Sequence, residues 1–184
     1  MTLANQLTLL RIVLIPLFVV VFYLPVSWAH FASAIIFSVA AITDWLDGYV
    51  ARKYNQSTPF GAFLDPVADK LMVVIALLLL VGLHHQSAWF AAAAAVIVGR
   101  EIVISALREW MAQMGKHANV AVSYIGKIKT TLQMIAIIVL LMDFHWLMIP
   151  GYIALASAAV LTLWSMVIYL RAAWPFLSIT DSGS

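Results

Sequence analysis

The sequence predicts an all-α membrane protein, with six transmembrane helices around a polar cavity open to the cytoplasmic side. Three observations carry that expectation. The 184-residue chain is 65% apolar and only 10% charged, where soluble domains run about 45–50% and about 25%; its mean hydropathy is +1.03. The apolar residues fall into six runs, each long enough for a hydrocarbon core of about 30 Å at about 1.5 Å of helical rise per residue. The charged residues that interrupt these runs are clustered: four of the eight acidic residues lie between 44 and 69.

The first span covers 5–24, contains Arg11 and Pro16, and ends at Pro25 and Ser27. Pro16 is expected to kink it. No charged stretch precedes its apolar run, so it does not read as a cleaved signal peptide and is expected to be retained. The second span, 29–54, ends at the polar string Asn55-Gln56-Ser57-Thr58-Pro59, and the third, 60–83, at His84-His85-Gln86-Ser87. The fourth, 88–114, includes the helix filler Ala91–Ala95 and stops at Gly115-Lys116-His117-Ala118-Asn119. The fifth covers 121–142 and the sixth 147–173, with Pro150-Gly151, just inside the sixth, read as an end marker. No internal repeat is visible. Residues 1–177 read as a single six-helix unit, and 178–184 as a polar tail.

The absence of cysteine excludes disulfides, thiolate metal sites and a cysteine nucleophile. A net charge of +2 and a pI near 9.0 on a chain without a large soluble face speak for topology, not for nucleic-acid binding. The connections 25–28, 84–87 and 143–146 contain no Lys or Arg, whereas Arg52, Lys53 and Lys116 flank the other two and Arg171 lies near the C-terminus. The positive-inside rule then places both termini in the cytoplasm. Trp28, Trp89 and Trp146 would anchor one interface, and Trp110 and Trp174 the other. Asp143 and His145 are expected to be solvated, and the adjacent His84 and His85 to diverge.

With that topology nearly all embedded charge faces one compartment. The string Asp44-x-x-Asp47-Gly48-x-x-Ala51-Arg52, eight residues, then Gly61-x-x-x-Asp65-x-x-x-Asp69 spans the end of the second helix and the start of the third. Spacings of three and four put Asp44 with Asp47, and Asp65 with Asp69, on shared helix faces. A charge at the centre of a membrane helix costs roughly 2.5–3.5 kcal/mol on insertion scales, so four carboxylates need a function. Two Mg²⁺ or Mn²⁺ ions would neutralise them, and all-oxygen ligands suit such hard cations. Gly48, Ala51 and Gly61 would let a flat group approach the backbone; close helix packing is the other reading. Arg52 suits phosphate oxygens, although positive-inside anchoring also explains it. The hydroxyl of Thr43 is expected to bond back to its own helix. Lys70 is expected to pair with a Glu or a lipid headgroup.

The aspartate string resembles the signature of the CDP-alcohol phosphotransferase family, with every fixed position present at the family's spacing. The rest of the chain is similar to the bacterial members that make phosphatidylglycerol phosphate: six spans, the pairs Arg100-Glu101 and Arg108-Glu109, and the lysines of span five. The resemblance implies a membrane enzyme that transfers the phosphatidyl group of CDP-diacylglycerol to sn-glycerol 3-phosphate and releases CMP. It implies Asp44, Asp47 and Asp65 as metal ligands, with Asp69 near the metals as general base. It also implies a homodimer in the bacterial inner membrane.

A phosphorylated acceptor requires a basic pocket, and Arg100, Arg108, Lys127 and Lys129 are the available cations. Glu101 and Glu109 are expected to hold the arginines, with Ser105, Thr130 and Gln133 nearby. Asn5, Thr8 and Arg11 follow a spacing common in the family and read as lining the nucleotide end beside Gly48, Ala51, Arg52 and Gly61. The other reading of Arg11 is a snorkelling interfacial residue. The aspartate string does not separate glycerol 3-phosphate from inositol phosphate, serine or choline as acceptor. A cation transporter and a membrane prenyltransferase are the rivals of other classes. A transporter would place its acids near the midplane, in inverted repeats.

Overall fold

The computed structural model describes residues 3–54, 59–113 and 124–177, with most of their side chains. They form six helices: α1 (Leu3–Phe22), α2 (Ala29–Tyr54), α3 (Pro59–Leu83), α4 (Ala88–Gln113), α5 (Tyr124–Leu141) and α6 (His145–Leu177). Among the described residues there is no strand. Three helices are long and apolar enough to cross a membrane, over Pro66–Leu83, Ala88–Gln113 and His145–Arg171. Three shorter apolar stretches, Gln6–Phe22, Ala29–Asp44 and Ile128–Leu141, accompany them.

α6 departs from its expected limits. It begins at His145 instead of 147 and continues to Leu177 instead of 173. The break lies earlier, where Asp143 adopts a left-handed φ of 54° and the Leu147 amide already donates to the Phe144 carbonyl. Pro150 therefore falls early in the helix, where its missing amide costs a single bond.

Phe18, Phe37, Leu77, Leu80, Phe90 and Ile137 are fully buried and centre the core. The outer surface is apolar too: Val13, Val20, Leu78, Ile102, Ile149 and Ile153 are all exposed. Apolar surface on that scale needs a covering in water and suits a hydrocarbon surround. α5 and α6 pack most closely, followed by α1 and α2. Gly151 permits the first approach, because a Cβ there would lie 2.7 Å from Leu140 Cδ2 and 3.2 Å from Val139 Cγ1. Leu140 is fully buried and has little room to yield. Gly151→Val is expected to destabilise the protein by about 1–3 kcal/mol through overpacking, read as a lowered thermal midpoint of the detergent-solubilised protein. An unchanged midpoint would mean that the α5–α6 contact is soft.

At the helix ends remote from the aspartates, Asp143 is paired. Its Oδ2 lies 3.1 Å from His30 Nδ1 and ties the α5–α6 turn to α2, while Asp143 and His145 are both exposed, as expected. Nearby, His84 Nδ1 lies 3.2 Å from the Tyr152 hydroxyl. Burial holds the His84 pKa below the ordinary histidine value, opposed by the Asp143 charge. The ring is thus neutral at pH 7 and able to accept that hydrogen bond.

Candidate active site

The site begins with a buried charge. Arg11, on α1, is 1% exposed, and its Nη1 lies 3.0 Å from Asp44 Oδ1 on α2. Thr8, one turn earlier on the same helix, is equally buried. A guanidinium taken out of water needs a partner close by, and the packing of α1 on α2 supplies it. Arg11 therefore does not snorkel to an interface. Asp44 is 39% exposed, so the pair runs from the interior to an open edge. Thr43 donates back to the Ala40 carbonyl of its own helix at 2.7 Å, as expected.

Asp69, on α3, links two spaces. A small void of about 10 Å³ reaches it from Arg11, between Phe37 and Met134. On its other side lies a cavity of about 390 Å³ that Asp69 shares with Lys70, Arg100, Glu101, Arg108 and Lys129. Thr130 and Gln133, also on α5, complete the polar wall. Among the described residues, four cations against two carboxylates leave an excess of two positive charges when all are ionised.

The cations are held in two different ways. Glu101 Oε1 accepts from Arg100 Nη1 at 2.8 Å and from Lys129 Nζ at 3.2 Å. Lys70 Nζ donates to Ser105 Oγ, which in turn donates to the Glu101 carbonyl. Arg108 Nε donates to the Tyr169 hydroxyl at 2.9 Å, with the guanidinium carbon 5.1 Å from the centre of the Tyr169 ring.

Asp44, Asp69, Thr8, Arg11, Arg100, Arg108 and Lys129 are thus placed, all but Asp44 and Thr8 lining one of the two spaces. The side chains of Asn5, Asp47, Gly48, Ala51, Arg52, Gly61, Asp65 and Lys127 lie outside the described residues. Among the described residues no three His, Asp or Glu gather as a metal site. Asp44 and Asp69 offer carboxylate oxygens only, the donor chemistry of a hard divalent cation.

Two expectations need correction. Arg108 is held by Tyr169, from α6, and not by a glutamate; Lys70 is held by Ser105 and not by an acid. Tyr169 had no signal in the sequence, because nothing in an apolar helix says which tyrosine faces a guanidinium. Lys70 did have one: it directly follows Asp69 and begins an apolar run.

The profile of the CDP-alcohol phosphatidyltransferase family matches residues 1–170. The chain is 59% identical over 168 residues to proteins named CDP-diacylglycerol–glycerol-3-phosphate 3-phosphatidyltransferase from Escherichia coli K12, Escherichia coli O157:H7 and Shigella flexneri serotype 5b. Each alignment covers 91% of this chain and 92% of the relative.

Proposed function

We infer that this chain, which belongs to the CDP-alcohol phosphatidyltransferase family, converts CDP-diacylglycerol and sn-glycerol 3-phosphate to phosphatidylglycerol phosphate and CMP. The observation that carries this reading is the cavity that, among the described residues, brings Asp69 together with an excess of two positive charges. A phosphate monoester is a dianion near neutral pH, so the cavity complements the phosphate of the acceptor. The match to relatives of that name over nearly the whole chain supports the same substrate pair.

In the mechanism, the cavity cations hold the acceptor phosphate and turn the primary hydroxyl of the glycerol toward Asp69. Asp69 takes the hydroxyl proton. The freed oxygen attacks the lipid-side phosphorus of CDP-diacylglycerol; a P–O bond forms to the acceptor, and the P–O bond to CMP breaks. Arg11 restrains the Asp44 carboxylate beside this chemistry. Asn5, Thr8, Arg11, Gly48, Ala51, Arg52 and Gly61 form the CDP-lipid end of the site. Asp44, Asp47 and Asp65, with Asp69 beside them, would hold Mg²⁺ or Mn²⁺, two ions by charge count. When bound, these ions neutralise the pyrophosphate and the departing CMP.

The protein sits in the bacterial inner membrane with the site and both termini on the cytoplasmic side, a reading supported by the Lys and Arg of the 52–59 and 115–120 connections. Exposed Trp28, Trp146 and Trp174 near helix ends suit interfacial anchoring. The homodimer rests on the family resemblance alone.

The test is CMP release by the purified protein from CDP-diacylglycerol and glycerol 3-phosphate. Release is expected with Mg²⁺, none with excess EDTA, and recovery when Mg²⁺ is restored. Release that ignores EDTA would remove the metal from the reading; no release in any condition would remove the reaction.

A further inference from the structure

We propose that Lys70 is a direct ligand of the acceptor phosphate, together with Arg108, and that Ser105 and Tyr169 are the positioning residues that aim these two cations. The proposal rests on the phosphatidyltransferase reading and adds the division of labour within its acceptor cavity.

The division follows from how each cation is held. Arg100 and Lys129 share one oxygen of Glu101. Part of their charge is therefore met by the protein, and they serve mainly as wall. Lys70 and Arg108 line the same cavity, and among the described residues the side chains that hydrogen-bond them are neutral, the hydroxyls of Ser105 and Tyr169. Among the described residues neither forms an ion pair with a carboxylate. A neutral hydroxyl orients a cation without cancelling its charge.

The donor count points the same way. A hydroxyl has one proton and two acceptor lone pairs. Ser105 gives its proton to the Glu101 carbonyl and so meets Lys70 as an acceptor. One of the three ammonium protons is thereby fixed, and two remain. Arg108 uses Nε on Tyr169, with its guanidinium against the ring. That leaves both terminal nitrogens for a forked contact, the geometry that suits phosphate oxygens. Lys70 is also the residue after Asp69, so a phosphate held by Lys70 keeps the rest of a small acceptor close to the base.

The experiment is steady-state kinetics of the full-length protein in lipid vesicles, varying glycerol 3-phosphate and CDP-diacylglycerol separately. Lys70→Gln is expected to raise the KM for glycerol 3-phosphate by roughly ten- to a hundredfold, the loss of a charged hydrogen bond, with the KM for CDP-diacylglycerol little changed. Lys70→Arg should recover most of the loss. Tyr169→Phe keeps the ring and removes the oxygen; a severalfold rise in the acceptor KM alone is expected, as it is for Ser105→Ala. An unchanged acceptor KM in Lys70→Gln overturns the proposal, and so does an equal rise in both KM values. If Lys70→Gln does not fold, unchanged acceptor KM values in both Ser105→Ala and Tyr169→Phe overturn it instead. A wild-type protein that releases no CMP with glycerol 3-phosphate sinks the underlying reading; wild-type turnover with an indifferent Lys70→Gln sinks only this inference.

Discussion

Asp69→Asn is expected to stop turnover while the protein still folds and still binds CDP-diacylglycerol. Asn matches Asp in size and keeps one acceptor oxygen, so the α3 helix and the walls of both spaces around the residue should persist. What is lost is the ability to take a proton. General-base catalysis contributes about 10²- to 10⁴-fold, so kcat should fall by at least about two orders of magnitude. The check is single-turnover CMP release alongside calorimetric binding of the CDP-lipid in Mg²⁺. Near-normal turnover would remove Asp69 as the base, and loss of lipid binding together with turnover would assign it to the metal or the fold instead.

Arg11→Met should have the largest effect on stability. The substitution leaves Asp44 without its guanidinium partner and replaces a fully buried cation with a shorter apolar chain. Removing one member of a buried ion pair costs about 3–5 kcal/mol; because Asp44 is 39% exposed, water relieves part of this and the lower end is expected. The thermal midpoint in detergent should drop clearly, and the residual activity should show a raised KM for CDP-diacylglycerol. Arg11→Met combined with Asp44→Asn should restore stability but not activity, because the proposed metal site also uses this carboxylate. If Arg11→Met alone left the midpoint unchanged, the α1–α2 ion pair would be incidental to the fold.

Much of this was legible in the sequence because lipid imposes a simple rule: every backbone group must be satisfied within the segment, so long apolar runs become helices. The limits of α2 were readable at both ends, since Pro25 and Ser27 precede it and 55–59 is polar. The start of α6 was read to within two residues, at 147 against His145, although Pro150-Gly151 looks like a break and the turn is made at Asp143. Gly151 serves packing against Leu140 instead. The embedded charges marked the site, because an ionised group in hydrocarbon has few structural excuses. Their partners did not show. Arg11 with Asp44, Arg108 with Tyr169 and Lys70 with Ser105 are contacts between helices 33, 61 and 35 positions apart in sequence. Helical periodicity assigns a face to a residue, but only packing decides which neighbour that face meets.

The proposed role of the cavity, to read a phosphate, is tested most directly by acceptor choice. CMP release should be compared for glycerol 3-phosphate, inositol phosphate, glycerol, inositol and serine, at equal concentration and with Mg²⁺ and CDP-diacylglycerol fixed. An excess of two positive charges beside Asp69 predicts release with glycerol 3-phosphate far above that with glycerol, inositol or serine. Glycerol or serine turning over as fast as glycerol 3-phosphate would contradict it, and the cations of α3, α4 and α5 would then need another purpose.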